Sequence, residues 1–188
     1  MPQSKSQLKS PIKSVVKSIN IEVEVKSKRW LEINDIEKFI KSQSVKLIEL
    51  SPLKKYLKNG SLFEASISLC SNTQIKKINQ QFRNIDKPTN VLSFANLDEK
   101  IIQKHGLKNA IGKAKYIFLG DIILGFEYIK NEAKNNNKKF NEHLTHLVIH
   151  GILHLIGYDH EDLKMASVME NLEIKILKQL GINNPYSK

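Results

Sequence analysis

The sequence has one cysteine, two arginines and no long apolar run, and each scarcity excludes something. A lone Cys70 cannot form an internal disulfide, and in the apolar stretch LFEASISLC it reads as a small buried thiol. No apolar run approaches a membrane span, and no basic start, apolar middle and small-residue cleavage site marks a signal peptide, so the expectation is a soluble cytoplasmic protein with no membrane partner. Arginine is confined to Arg29 and Arg83. Leu8, Ile12, Val15, Val16 and Ile19 fall at helical spacing, but the lack of arginine before Arg29 argues against an organelle-targeting peptide. Acidic residues are absent before Glu22, so residues 1–18 read as a basic flexible tail, ahead of a single domain over residues 19–188.

What is abundant is lysine. The formal charge of +11, from 30 Lys+Arg against 19 Asp+Glu, favours polyanionic partners, nucleic acid first among them, although a lysine-rich solvated surface gives the same number. A chain of 188 residues suits one domain with a proper core.

Periodicity supplies the elements. INIEVEV (19–25) alternates as a half-buried strand, residues 31–57 carry helical spacing through Ile33, Ile36, Phe39 and Ile40 until Ser51-Pro52 breaks it, and LFEASISLC is a second strand. SNTQIKKINQQF reads as a helix capped at Asn72 or Thr73. RNIDKPTNVLSFA follows with no element assigned, and the polar stretch 96–115 reads as a mobile loop. YIFLGDIILGF is apolar enough for a strand covered on both faces, with Asp121 then in need of a buried partner. Helices are expected at 127–135, 141–156 and 163–180. The predicted fold is α/β, a small mixed β-sheet packed with about five helices, with a zinc site on a central helix and the turn after it.

That site comes from HGILHLIGYDH (150–160), which gathers three of the six histidines into eleven positions. His150 and His154 are i and i+4 on one helical face, and Gly157 can end the helix so that the chain returns His160 to the same point. Three neutral imidazoles around one zinc ion leave a fourth position for water, as in catalytic zinc. His146 shares the face, but lies about 12 Å from His154 along the axis and reads as a supporting neighbour; His143 and His105 read as surface residues. The spacing equals that of metzincin proteases, whose glutamate after the first histidine is the general base. Gly151 stands there and can move no proton, so peptide hydrolysis lacks its acid–base group. A phosphodiester instead needs its developing charge stabilised, which zinc and a guanidinium supply. A glutamate at 151 is expected to set a negative charge beside the phosphate.

HGILHLIGYDH, FRNIDKPTNVLSF (82–94), LGDI (119–122) and MENLEIKILKQLGINNPY together resemble the YbeY family of bacterial and organellar single-strand endoribonucleases of ribosomal RNA maturation and quality control, over roughly residues 61–186. The resemblance implies that His150, His154 and His160 bind zinc and that Arg83 is the functional arginine. Among the residues themselves, Arg83 is a planar fork in a chain that otherwise uses lysine, suited to two phosphate oxygens, or else a surface ion pair with Asp86. Asp159 either orients an imidazole or caps the last helix; Thr89 and Ser93 are candidate donors to phosphate. The expected activity is zinc-dependent cleavage of single-stranded RNA, with ribosomal RNA as partner and Arg83 and His150 as catalytic residues. A metzincin-like metallopeptidase and a non-catalytic ribosome-assembly factor with structural zinc are the alternatives.

Overall fold

A computed structural model describes residues 18–187; the expected basic tail over residues 1–18 lies almost wholly outside them. Four strands, β1 (Ile19–Val25), β2 (Leu62–Cys70), β3 (Val91–Ala95) and β4 (Tyr116–Gly125), form one sheet in the order β1-β2-β4-β3. β1, β2 and β4 run parallel, and β3 pairs antiparallel with β4 at the edge. Eight α-helices surround the sheet among the described residues: α1 (Ile36–Leu50), α2 (Lys54–Leu57), α3 (Asn72–Arg83), α4 (Glu99–His105), α5 (Leu107–Ile111), α6 (Phe126–Asn135), α7 (Phe140–Leu155) and α8 (Leu163–Gln179). Five of them, α1, α3, α6, α7 and α8, are ten residues or longer. The fold is thus the expected mixed α/β sandwich.

Alternation decides which sheet face is covered. Ile19, Ile21 and Val23 on β1 and Phe63, Ala65, Ile67 and Leu69 on β2 are buried, while Asn20, Glu22 and Glu24 are exposed. The buried face meets α7, which also packs against α1 and α6, and ten of the sixteen residues of α7 are buried. Trp30, in a 3-10 turn over Lys28–Glu32, is fully buried, stacks edge-on to Phe126 and donates from Nε1 to the carbonyl of the buried Cys70 at 2.9 Å. No helix among the described residues is long and apolar enough to cross a membrane.

Several elements differ from expectation for local reasons. The cap of α3 is Ser71, one residue before Asn72, because its hydroxyl and Gln74 satisfy each other's backbone N–H in a capping box. β3 comes from the segment with no assigned element, and the stretch 96–115 holds α4 and α5 rather than one irregular loop, with Ile111 buried in the core. β4 is covered on both faces only near its end: Ile123 packs with Cys70, Ile75 and Leu92 beneath α3, whereas Asp121, opposite Ser66 and Phe94, is exposed and needs no buried partner.

Candidate metal centre

α7 carries His143, His146, His150 and His154, and its end determines where His160 falls. Gly157 has φ of 86°, its N–H bonds the carbonyl of His154 at 3.0 Å, and the Tyr158 N–H bonds that of Leu153 at 3.1 Å. These are the two bonds of a Schellman stop, which needs a left-handed residue and turns the chain back over the helix end. A Cβ at 157 would lie 2.6 Å from the Ile102 side chain, so α4 closes directly over this turn.

The consequence is a meeting of three imidazoles. One ring nitrogen from each of His150, His154 and His160 falls within a mutual 4.8 Å, and the Nε2 atoms of His150 and His154 are 3.0 Å apart. Two nitrogens bound to one zinc at about 2.0–2.1 Å stand roughly 3.3–3.4 Å apart, so small side-chain adjustments suffice. Burial, then repulsion from His150 and His160, lowers the His154 pKa to about 4, so this imidazole is neutral at physiological pH, as a ligand must be. The donor set therefore fits a borderline ion such as zinc, though imidazoles also suit nickel, copper and iron.

A cleft of about 380 Å³ opens beside the cluster, lined by Arg83, Ser93, Ile102, His154, Tyr158 and His160, with Glu99, Asp159 and Glu161 also on its wall. Arg83, at the end of α3, is exposed and makes no ion pair among the described residues; Asp86 pairs with Lys76 at 3.1 Å instead. The Ser93 hydroxyl is buried and has no hydrogen-bond partner among the described residues. Thr89 does not line this cleft, and its hydroxyl donates to Asn90 Oδ1 at 3.3 Å. Asp159 accepts from the His160 N–H at 2.7 Å and lies 3.9 Å from His154 Nδ1; the cap of α8 is Asp162, which accepts from the Met165 N–H at 2.7 Å.

Gly151 corrects one expectation. It is buried, and a Cβ there would stand 3.0–3.2 Å from the Ile122 side chain on β4. A glutamate would be driven into the contact between helix and sheet, not toward the cleft. Glycine at this position lets α7 approach the sheet closely.

His105 is exposed, as expected, but His143 is buried, its Nε2 2.9 Å from Glu132 of α6. The residue that sequence reasoning missed is Glu173 on α8, with no exposed surface. His150 Nδ1 lies 2.9 Å from its Oε1, His146 Nε2 lies 3.2 Å from its Oε2, and the Tyr186 hydroxyl donates to Oε2 as well. Burial alone would raise this carboxyl, but hydrogen bonds from His146 and His150 outweigh it and hold the pKa at about 2. Burial and the Glu173 carboxylate push the Tyr186 phenol up. A signal was present: Met169, Glu173, Ile176 and Leu177 form the buried stripe of α8, and an acid on an apolar stripe requires a partner.

The family model described as Endoribonuclease YbeY matches residues 6–181, a span that begins well before residue 61. Endoribonuclease YbeY of Francisella tularensis subsp. tularensis (strain FSC 198) is 46% identical over 156 residues, covering 82% of this chain and 86% of that protein. The protein of the same name from subsp. novicida (strain U112) is 46% identical over 156 residues and covered to 90%. A Thermotoga maritima protein of known solution structure superposes with a TM-score of 0.51 at 25% identity, over 90% of this chain and 99% of that one.

Proposed function

This chain belongs to the Endoribonuclease YbeY family, and on that premise we propose that it is a zinc-dependent endonuclease of single-stranded RNA that acts on ribosomal RNA precursors in the cytoplasm. One metallohydrolase domain spans residues 19–188. The observation that supports the reading best is the three-imidazole cluster beside a cleft that His154 and His160 share with Arg83, whose guanidinium is in no ion pair among the described residues. His150, His154 and His160 hold the ion, and Arg83 and His150 are the catalytic residues. Zinc, when bound, supplies Lewis acidity and makes water more acidic.

The chain's own residues do the rest. Arg83, in no ion pair among the described residues, offers two parallel N–H donors to the phosphate oxygens and opposes the charge that develops on them. Ser93 borders the same cleft with its hydroxyl turned into the protein. Position 151 faces Ile122 and not the cleft, so it supplies no acid–base group to serve a leaving amine, which separates this site from a peptidase.

Cleavage of an unstructured RNA and of unfolded casein, with and without zinc, tests the reading. Wild-type protein should cut the RNA only with zinc present and leave casein intact, and His154→Ala protein prepared identically should fall to the level of zinc-stripped wild type. RNA cutting that survives His154→Ala, or zinc-dependent digestion of casein, would overturn it.

A further inference from the structure

Two groups of side chains around the end of α7 are spaced so that they could hold an ion, His150–His154–His160 and His146–His150–Glu173, and they share His150. One imidazole cannot serve both ions and keep its proton, so the groups do different work. In the second, the separations are those of hydrogen bonds, 2.9 Å from His150 Nδ1 to Glu173 Oε1 and 3.2 Å from His146 Nε2 to Oε2, and the Tyr186 hydroxyl occupies Oε2 too. His150 Nε2 faces the other way, 3.0 Å from His154 Nε2.

From this geometry we propose that Glu173 is a positioning residue, which accepts the Nδ1–H of His150, fixes the tautomer that turns Nε2 toward the ion, and is itself kept from coordinating by His146 and Tyr186. The proposal rests on the assignment of His150, His154 and His160 as the ligands. Its logic is that of an imidazole ring with two usable nitrogens: without an acceptor at Nδ1 the ring can rotate or present either nitrogen, and the site loses definition. A buried carboxylate on a separate helix is a rigid acceptor, since α8 is anchored by Met169, Ile176 and Leu177 and the carboxylate has no access to water. Tyr186 brings the chain's end to the same carboxylate, filling an oxygen that would otherwise compete for the ion.

Nitrogen-15 histidine NMR of the wild-type protein, with and without one equivalent of zinc, reads the tautomer directly. His150 should carry its proton on Nδ1 in both states and bind zinc through Nε2. Zinc titrations against a competing chelator should give one equivalent in wild type and an affinity about ten- to a hundredfold weaker in Glu173→Gln, which keeps the shape but weakens the acceptor. Tyr186→Phe, which leaves the Oε1 bond intact and His146 on Oε2, should weaken zinc less than Glu173→Gln does. Zinc bound through His150 Nδ1, a second equivalent that His146→Ala abolishes, or an unweakened Glu173→Gln protein would each overturn the proposal. The NMR arm stands even if Glu173→Gln fails to fold. Failure of the ligand assignment has its own signature: wild type would take up no zinc, while the metal-free spectrum still reports whether Glu173 holds the Nδ1 proton.

Discussion

Arg83 and the other arginine, Arg29, show what a guanidinium does when paired and when free. Arg29 lies 3.3 Å from Glu32 and 3.7 Å from Glu127, pairs near the surface that water screens and that contribute little. Arg83 has no such partner among the described residues and lines the cleft. Lysine at 83 keeps the charge and loses the second prong, so Arg83→Lys should retain zinc and thermal stability while its RNA cleavage falls about ten- to a hundredfold, the worth of one charged hydrogen bond of roughly 1.5–3 kcal/mol. Unchanged single-turnover cleavage by Arg83→Lys would remove Arg83 from the mechanism.

The joints between elements depend on a few polar contacts at the start of α7. Glu132 of α6 accepts from His143 Nε2 of α7 at 2.9 Å and from Asn90, just ahead of β3, at 3.0 Å. The hydrogen bond from His143 holds the Glu132 carboxyl below its ordinary value, with burial opposing and Asn90 and Lys138 assisting. A depressed carboxyl stabilises the fold above its unfolded value of about 4.5 and loses that contribution as pH falls through the folded value. Glu132→Gln should therefore be less stable than wild type at neutral pH, and the gap should close as the solution is acidified below about 4.5. Urea midpoints for both proteins from pH 7 to pH 3 provide the check. A gap constant with pH would mean that the carboxylate's charge has no part in this joint.

Across the whole molecule, charge is unevenly placed. The formal +11 is a sum, and the open sheet face carries Glu22 and Glu24 while the cleft wall includes Glu99, Asp159 and Glu161. Binding of RNA by a basic protein releases counterions, with a slope near −0.7 per neutralised phosphate for single strands. For roughly four phosphates, affinity should fall about 50-fold between 50 and 200 mM salt. Fluorescence anisotropy of a labelled single-stranded RNA across that range measures the slope; a flat response would show that the positive charge lies away from the RNA path.

Local chemistry determined a good part of this protein. Alternation in INIEVEV and LFEASISLC identifies β1 and β2 because a strand's side chains change face at every residue. The spacing of His150, His154 and Gly157 identifies half of the ion site and the turn that completes it, because i and i+4 share a helical face and a left-handed glycine ends the helix. Other features depend on neighbours distant in sequence. β3 exists as a strand through its pairing with β4, α4 sits where Ile102 meets Gly157, and Asp121 is exposed because α3 covers only one end of its strand. Glu173 reaches His150 from 23 positions away, Tyr186 reaches His146 from 40, and Gly151 proved to face Ile122 rather than the cleft. Periodicity says which face of an element is apolar; only the packed molecule decides which groups from different elements share a volume, and an isolated buried carboxylate finds its meaning there.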